Sequence, residues 1–253
     1  MRVHVIQLSY GDDETLDARV DRVAATVLAQ PGADLVVLPE LWPNGGFAYD
    51  GWEASAQPLD GPIVTALQDA SRQLGALVHM GSLVERDETG GMFNTSVLLG
   101  SDGAVLATYR KIHLFGFGEG EPKLMTPGDD IVVQDGLGLA TCYDLRFPEQ
   151  FRRLLDAGAE VVLIPAAWPA KRVAHWRLLA QARAVENQSY VVACNTAGEH
   201  SGVAMGGGSI VVDPWGAVLA EAGTDQEVLV VDLDVDLVAR TRSSFPILAD
   251  RRL

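Results

Sequence analysis

Ten residues beginning at Asp34, DLVVLPELWP, return in altered form as EVVLIPAAWP beginning at Glu160. Pro39, Trp42 and Pro43 and their counterparts Pro165, Trp168 and Pro169 stand at one common offset, and a second echo, GAVLA, starts at Gly103 and again at Gly216. An echo of this length implies two similar units in one chain, and the hydrophobic pattern around each copy says what the units are. Val3–Leu8 is short, apolar and partly β-branched, as a strand requires. Asp12 and Asp13 are expected to open a helix whose stripe is Leu16, Val20, Val23 and Val27, stopped by Pro31 and Gly32. Asp34–Leu38 reads as a strand buried on both faces. A glycine-rich loop is expected through Gly51. A helix from Pro62 then shows Ile63, Leu67, Ala70 and Leu74 on its inner side. Ala76–Leu83 is a strand, and Asn94–Leu99 with Ala104–Tyr109 forms a hairpin about Ser101, Asp102 and Gly103.

The second half repeats this order. A strand is predicted over Leu137–Tyr143, a helix over Pro148–Ala157, a strand over Glu160–Ile164, a helix over Ala174–Asn187 and a strand over Tyr190–Cys194. A hairpin, Ser209–Val212 with Ala217–Ala220, closes it. Two β-α-β-α-β-β halves predict an α/β fold: an α-β-β-α sandwich with an internal pseudo-twofold, in which the sheets pack face to face and the helices lie outside. No linker or low-complexity tract divides the chain, so 1–253 is expected to be one domain.

Composition narrows the function. Lys and Arg total 19 against 34 Asp and Glu, for a net charge of −15. A chain so acidic lacks the cationic face that nucleic acid demands, and it is repelled by anionic membranes. No apolar run approaches the ~20 residues of a membrane span, and the N-terminus has no long apolar core of a signal peptide. Two cysteines make no disulfide framework, so a reducing, cytoplasmic setting is expected. The five histidines show no metal spacing. GVAMGGGS is no phosphate loop, because no Lys-Ser/Thr follows it, and GxSxG is absent.

Three residues carry chemical promise. Cys142, in ATCYDLRFPE, is read at the end of a strand facing the start of a helix, where α/β proteins place reactive groups. Amides at a helix start favour a thiolate. Cys194, in the uniformly apolar YVVACNT, reads as structural. Glu40 directly follows DLVVLP, and burial there would raise its pKa toward the range of a general base. Its repeat partner is Ala166, so the position does not structurally require a carboxylate. Lys111, in TYRKIHLFG, would stabilise an oxyanion if a reacting carbonyl lay near.

In this order and with these flanks, LPELW, YRKIHLF and CYDLRFPE resemble the nitrilase superfamily of carbon–nitrogen hydrolases, in the branch that holds omega-amidases and deaminated-glutathione amidases. The resemblance runs over essentially the whole chain, including HWRLLAQARAVENQSYVVACN and FPILADRR. It implies a Glu-Lys-Cys triad of Glu40, Lys111 and Cys142, and an amidase that needs no metal or organic cofactor. A second glutamate is also implied, with Glu121 preferred over Glu119 by its spacing from Pro127. Tyr143 would lend its backbone N–H to the oxyanion. Arg146 either grips a substrate carboxylate or pairs with Asp144 or Glu149. Trp168 either walls the pocket or shares a packing role with Trp42. The substrate expected is a small, carboxylate-bearing linear amide, hydrolysed through a thioester to ammonia and an acid, and the assembly expected is a homodimer or higher homo-oligomer joined through a helical face and the C-terminal segment. Nitrile or N-carbamoyl hydrolysis on the same fold, and a silent scaffold, are the alternatives. A papain-like pairing of Cys142 with His113 or His175 has no support in spacing.

Overall fold

The computed structural model describes residues 1–252. In chain order the first half holds β1 (Arg2–Gln7), α1 (Leu16–Leu28), β2 (Leu35–Val37), α2 (Tyr49–Ser55), α3 (Pro62–Leu74), β3 (Leu77–Arg86), β4 (Met92–Leu99) and β5 (Val105–Arg110). A short α4 (Glu121–Leu124) leads into β6 (Val133–Gln134), β7 (Leu137–Leu139), α5 (Pro148–Asp156), β8 (Val161–Pro165), α6 (Val173–Asn187) and β9 (Tyr190–Cys194). The small hairpin β10 (Glu199–His200) and β11 (Val203–Ala204) precedes β12 (Ile210–Val212), β13 (Val218–Glu221), β14 (Glu227–Asp232) and α7 (Leu237–Ser244).

Two six-stranded sheets result, ordered β14-β1-β2-β3-β4-β5 and β6-β7-β8-β9-β12-β13. Each has three central parallel strands flanked by antiparallel ones, so the halves match strand for strand. The alternation of side chains assigns the layers. Val3, Val5, Leu35 and Val37 point from the first sheet into a central layer, where they meet Leu139, Leu163, Val192 and Cys194 of the second. Val36, Val78 and Val97 point outward onto Val23, Val27, Ile63 and Leu67 of α1 and α3. Val162, Ile164 and Val191 point outward onto Phe151, Trp176 and Ala180 of α5 and α6. Strands covered on both sides read as continuous apolar runs, and these do. The architecture is the expected α-β-β-α sandwich. Among the described residues no helix is long and apolar enough to cross a membrane.

Three local expectations need correction. The first helix is capped by Thr15, whose hydroxyl accepts the Ala18 N–H, and not by Asp12 and Asp13; the Asp12 carboxylate is engaged with the Ser201 N–H at 2.8 Å. Within the glycine-rich stretch lies a helix, α2, although Gly51 weakens its helical signal. Burial of Trp52, with its Nε1–H on the Gly45 carbonyl at 2.8 Å, holds that helix in place. The strand expected over Leu137–Tyr143 ends at Leu139, and Cys142–Arg146 is a 3₁₀ turn, not a strand end.

The edge of β3 shows how the first PELWP copy is seated. The pairing of β3 with β4 is irregular between His79 and Ser82. That irregularity cradles the loop after β2. The Trp42 Nε1–H donates to the Met80 carbonyl at 2.8 Å, and the Leu41 N–H donates to Ser82 Oγ at 3.0 Å. At Gly81, with φ +71°, a Cβ would lie 1.8 Å from the Pro39 carbonyl oxygen, so only glycine lets the segment before Glu40 come this close. Gly81→Ala is therefore expected to push Pro39 and Glu40 outward. Urea unfolding should register a loss greater than the ~1–2 kcal/mol of a left-handed alanine alone; an unchanged midpoint and slope would mean that the cradle yields freely.

Candidate active site

Four elements converge on one narrow pocket that opens to solvent. The loop after β2 brings Glu40, β5 runs directly into Lys111, α4 opens with Glu121, and the 3₁₀ turn opens with Cys142. Glu40, Lys111 and Glu121 are all buried. Lys111 Nζ lies 2.7 Å from Glu40 Oε1 and 2.9 and 2.8 Å from the two oxygens of Glu121. Backbone amides complete the carboxylates: Ala167 N–H donates to Glu40 Oε2 at 2.9 Å and Phe115 N–H to Glu121 Oε2 at 2.6 Å. The first of these ties the two repeat copies together, because Glu40 N–H also reaches the Ala166 carbonyl, its own repeat partner.

Cys142 sits at φ +46°, a conformation uncommon for a residue with a side chain. The surrounding turn is pinned from several directions. Asp144 accepts from Thr141 N–H at 2.8 Å, from the Tyr109 hydroxyl at 2.6 Å and from His113 N–H at 3.0 Å, so one buried carboxylate locks the Cys142 turn onto the end of β5. Lys111 and Cys142 thus hold a common position through a shared anchor.

The electrostatics follow from burial. Burial pushes the Cys142 thiol well up, the Glu40 charge adds to this, and Lys111 only partly offsets it. Burial opposes the Lys111 charge, but Glu121 and Glu40 outweigh that and hold its pKa above the usual value. Glu121 is shifted upward by burial, with Lys111 opposing the shift. Tyr49 of α2, on the pocket wall, is pushed up to about 12 by burial and then by Glu121. At neutral pH the site therefore presents a protonated thiol beside Glu40. Such a thiol needs its proton removed in the act of attack.

Tyr143, Arg146 and Trp168 all line the same pocket. The Arg146 guanidinium stacks over the Trp168 ring at 4.6 Å and lies 3.5 Å from His175 Nδ1; it pairs with neither Asp144 nor Glu149. Trp168 walls the pocket with its Nε1–H on the Arg172 carbonyl, whereas Trp42 is buried behind β3. Of the two glutamates considered, Glu119 is exposed and pairs with Lys123, far from the thiol's partners. Cys194 is buried in the central layer with its Sγ on the Ile6 carbonyl. No histidine lines the pocket.

Sequence reasoning missed two polar groups. Asn94 of β4 donates from Nδ2 to Glu40 at 2.8 Å and to Glu121 at 2.7 Å. Its only signal was a polar break, Asn-Thr-Ser, in an otherwise apolar strand. Arg172 reaches the pocket from the turn before α6 and lies over the Phe115 ring at 5.2 Å. Nothing in its local sequence marked it.

The chain is similar in sequence and in fold to known proteins. The pattern of the carbon-nitrogen hydrolase family fits residues 2–243. A 2-oxoglutaramate amidase of Paenarthrobacter nicotinovorans is 43% identical over 261 residues, covering 99% of this chain and 89% of the relative. Nit3 of Saccharomyces cerevisiae, a member of branch 10 of the nitrilase superfamily, superposes with a TM-score of 0.90 at 32% identity, over 100% of this chain and 97% of its own. The amidase from Nesterenkonia sp. AN1 superposes with a TM-score of 0.83 at 28% identity, over 98% of this chain and 99% of its own; in one variant acrylamide has added to the active-site cysteine.

The buried charges yield a stability prediction. Lys111→Met would leave two carboxylates in the interior with no cation. Urea unfolding at pH 7 should show a loss of about 3–5 kcal/mol, the usual result of orphaning a buried charge. Unpaired buried carboxyls bind protons more tightly folded than unfolded, so the deficit should shrink as the pH falls toward 5. A deficit that is constant across this range would place the loss in packing.

Proposed function

The chain belongs to the carbon-nitrogen hydrolase family and is an amidase, and from that premise we propose that it is an omega-amidase, hydrolysing the terminal amide of a short dicarboxylic acid monoamide such as 2-oxoglutaramate. The observation that carries this is the pocket's charge arrangement. A thiol and an ammonium lie at its floor, and two guanidiniums, Arg146 and Arg172, line it with no carboxylate partner among the described residues. In a chain of net charge −15, unpaired cations in a pocket are suited to an anionic substrate. Burial, and then Arg172 itself, lowers the Arg146 pKa, and a bound carboxylate would relieve that repulsion.

Glu40 takes the Cys142 proton as sulfur attacks the amide carbonyl. Lys111 has three N–H groups, two of them shared with Glu121; turning one toward the oxyanion leaves the Glu40 and Glu121 pairings in place. The Tyr143 backbone N–H is the second donor. Glu40 returns the proton to the departing ammonia, because an amide nitrogen leaves poorly as an anion. It then activates the water that cleaves the thioester to the acid. Glu121 holds Lys111 in its charged form.

Ammonia release from a panel of monoamides and neutral aliphatic amides tests the substrate. Arg146→Lys keeps the charge but loses the two-pronged contact, so kcat/KM for the dicarboxylic monoamide should fall about ten- to a hundredfold, while that for a neutral amide changes little. Equal losses would make Arg146 structural. Cys142→Ala is the inactive control and Cys194→Ala the active one.

We place the enzyme in the cytoplasm, where Cys142 stays reduced, and assign it a homodimer. The outer face of α6 exposes Leu178 (66%) and Val185 (45%), and Trp215 stacks on Phe245 with both about half exposed. The C-terminal segment begins at that aromatic pair. Leu178→Glu should turn a dimer into a monomer in sedimentation at micromolar concentration. A wild-type chain that sediments as an active monomer would rule the dimer out.

A further inference from the structure

Asn94 lies behind the pocket, buried on β4, and does not line it. Its side-chain amide spends one hydrogen on Glu40 Oε1 (2.8 Å) and the other on Glu121 Oε1 (2.7 Å). The same two oxygens receive Lys111 Nζ. The amide oxygen, by contrast, is buried with no hydrogen-bond partner. An orphaned buried acceptor is normally avoided. The reversed amide would aim that oxygen at two carboxylates, so the orientation is set by its neighbours. The strand does not need this side chain for its own bonding, because the Lys111 N–H is accepted by the Asn94 backbone carbonyl at 2.9 Å, which any residue would supply.

We infer that Asn94 is a positioning residue: its two N–H groups hold Glu40 and Glu121 at a fixed separation around Lys111 and favour the ionised state of the carboxylate that must accept the Cys142 proton. This rests on the roles proposed for Cys142 and Glu40. The physical need is plain. One ammonium faces two carboxylates and the thiol, with Tyr49 also near, so the cluster is short of positive charge. A neutral amide supplies two donors without adding a second cation that would compete for the proton. It also clamps both carboxylates from the side opposite the substrate.

The test follows Cys142 alkylation by iodoacetamide as a function of pH in a Cys194→Ala background, alongside kcat and KM for ammonia release. Asn94→Asp and Asn94→Ser each retain at most one donor. With fewer donors the carboxylates keep their protons to higher pH. The acid limb of both profiles should therefore move up by about one pH unit or more, and kcat should fall about ten- to a hundredfold with KM nearly unchanged. A residue that merely fills space would lower Tm while leaving the limb and kcat of the folded protein where they were, and that result overturns the inference. Asn94→Ser stands in if Asn94→Asp does not fold. If the parent's alkylation matches that of Cys142→Ala, the nucleophile assignment fails and takes this inference with it. A reactive parent with unmoved variants sinks the role of Asn94 alone.

Discussion

One buried ammonium between two buried carboxylates sets the terms for the rest of the molecule. Moving Lys111, Glu40 and Glu121 out of water costs several kcal/mol per ion, and their attraction repays this only in close geometry with every remaining lone pair satisfied. The structure meets that condition with the ammonium's three bonds, the Ala167 and Phe115 amides and the Asn94 side chain. The donors come from three separate stretches of chain, β4, the segment after β5 and the loop after β8. Loosening any one of these elements would leave charge uncompensated in the interior, so the cluster acts as a lock as well as a chemical device.

The scaffold suits that task because it is doubled. Two near-equivalent sheets share a central layer of aliphatic side chains, and their outer faces are sealed by helices. Interiors of this density yield little, so loops at the strand ends are held to small tolerances. The chemistry sits where the symmetry breaks. Glu40 and Ala166 occupy matching positions, and the two copies touch there, through the Glu40 amide on Ala166 and the Ala167 amide on the Glu40 carboxylate. One copy provides the carboxylate, and the other provides the backbone that orients it.

Burial also explains why a thiol can wait in such a site. Beside Glu40 and away from water, Cys142 remains protonated, which limits adventitious reaction while the pocket is empty. The turn that carries it is fastened through Asp144 to Tyr109 and His113 near the end of β5, the strand that leads to Lys111. The placements of Cys142 and Lys111 are therefore mechanically linked rather than separately adjustable.

Most of the framework was legible in one dimension. The PELWP echo, the period-two and period-3.6 apolar patterns and the punctuation by Pro31, Gly32, Pro62 and Pro148 are local properties, and they specify the layers and most of the helices and strands in them. Glu40, Lys111 and Cys142 stood out because charged or reactive residues beside apolar runs are unusual and because family motifs surround them, whereas Glu121 was implied only by the family resemblance and its spacing from Pro127. Other features were not local. Thr15 caps α1 because Asp12 is drawn to Ser201, across the fold; α2 persists despite Gly51 because Trp52 is buried; and β14 completes the first sheet only by pairing with β1, from the far end of the chain. Asn94 shows only as a polar break in its strand, and Arg172 carries no signal of its own. Their meaning comes from which charges lie within about 3 Å of one and which aromatic ring lies beneath the other. Hydrogen bonds and desolvation act over a few ångströms of space, irrespective of separation along the chain. The sequence alone therefore determined the layers and the kinds of reactive residue, while tertiary packing decided which of them share one desolvated volume and in what state of charge.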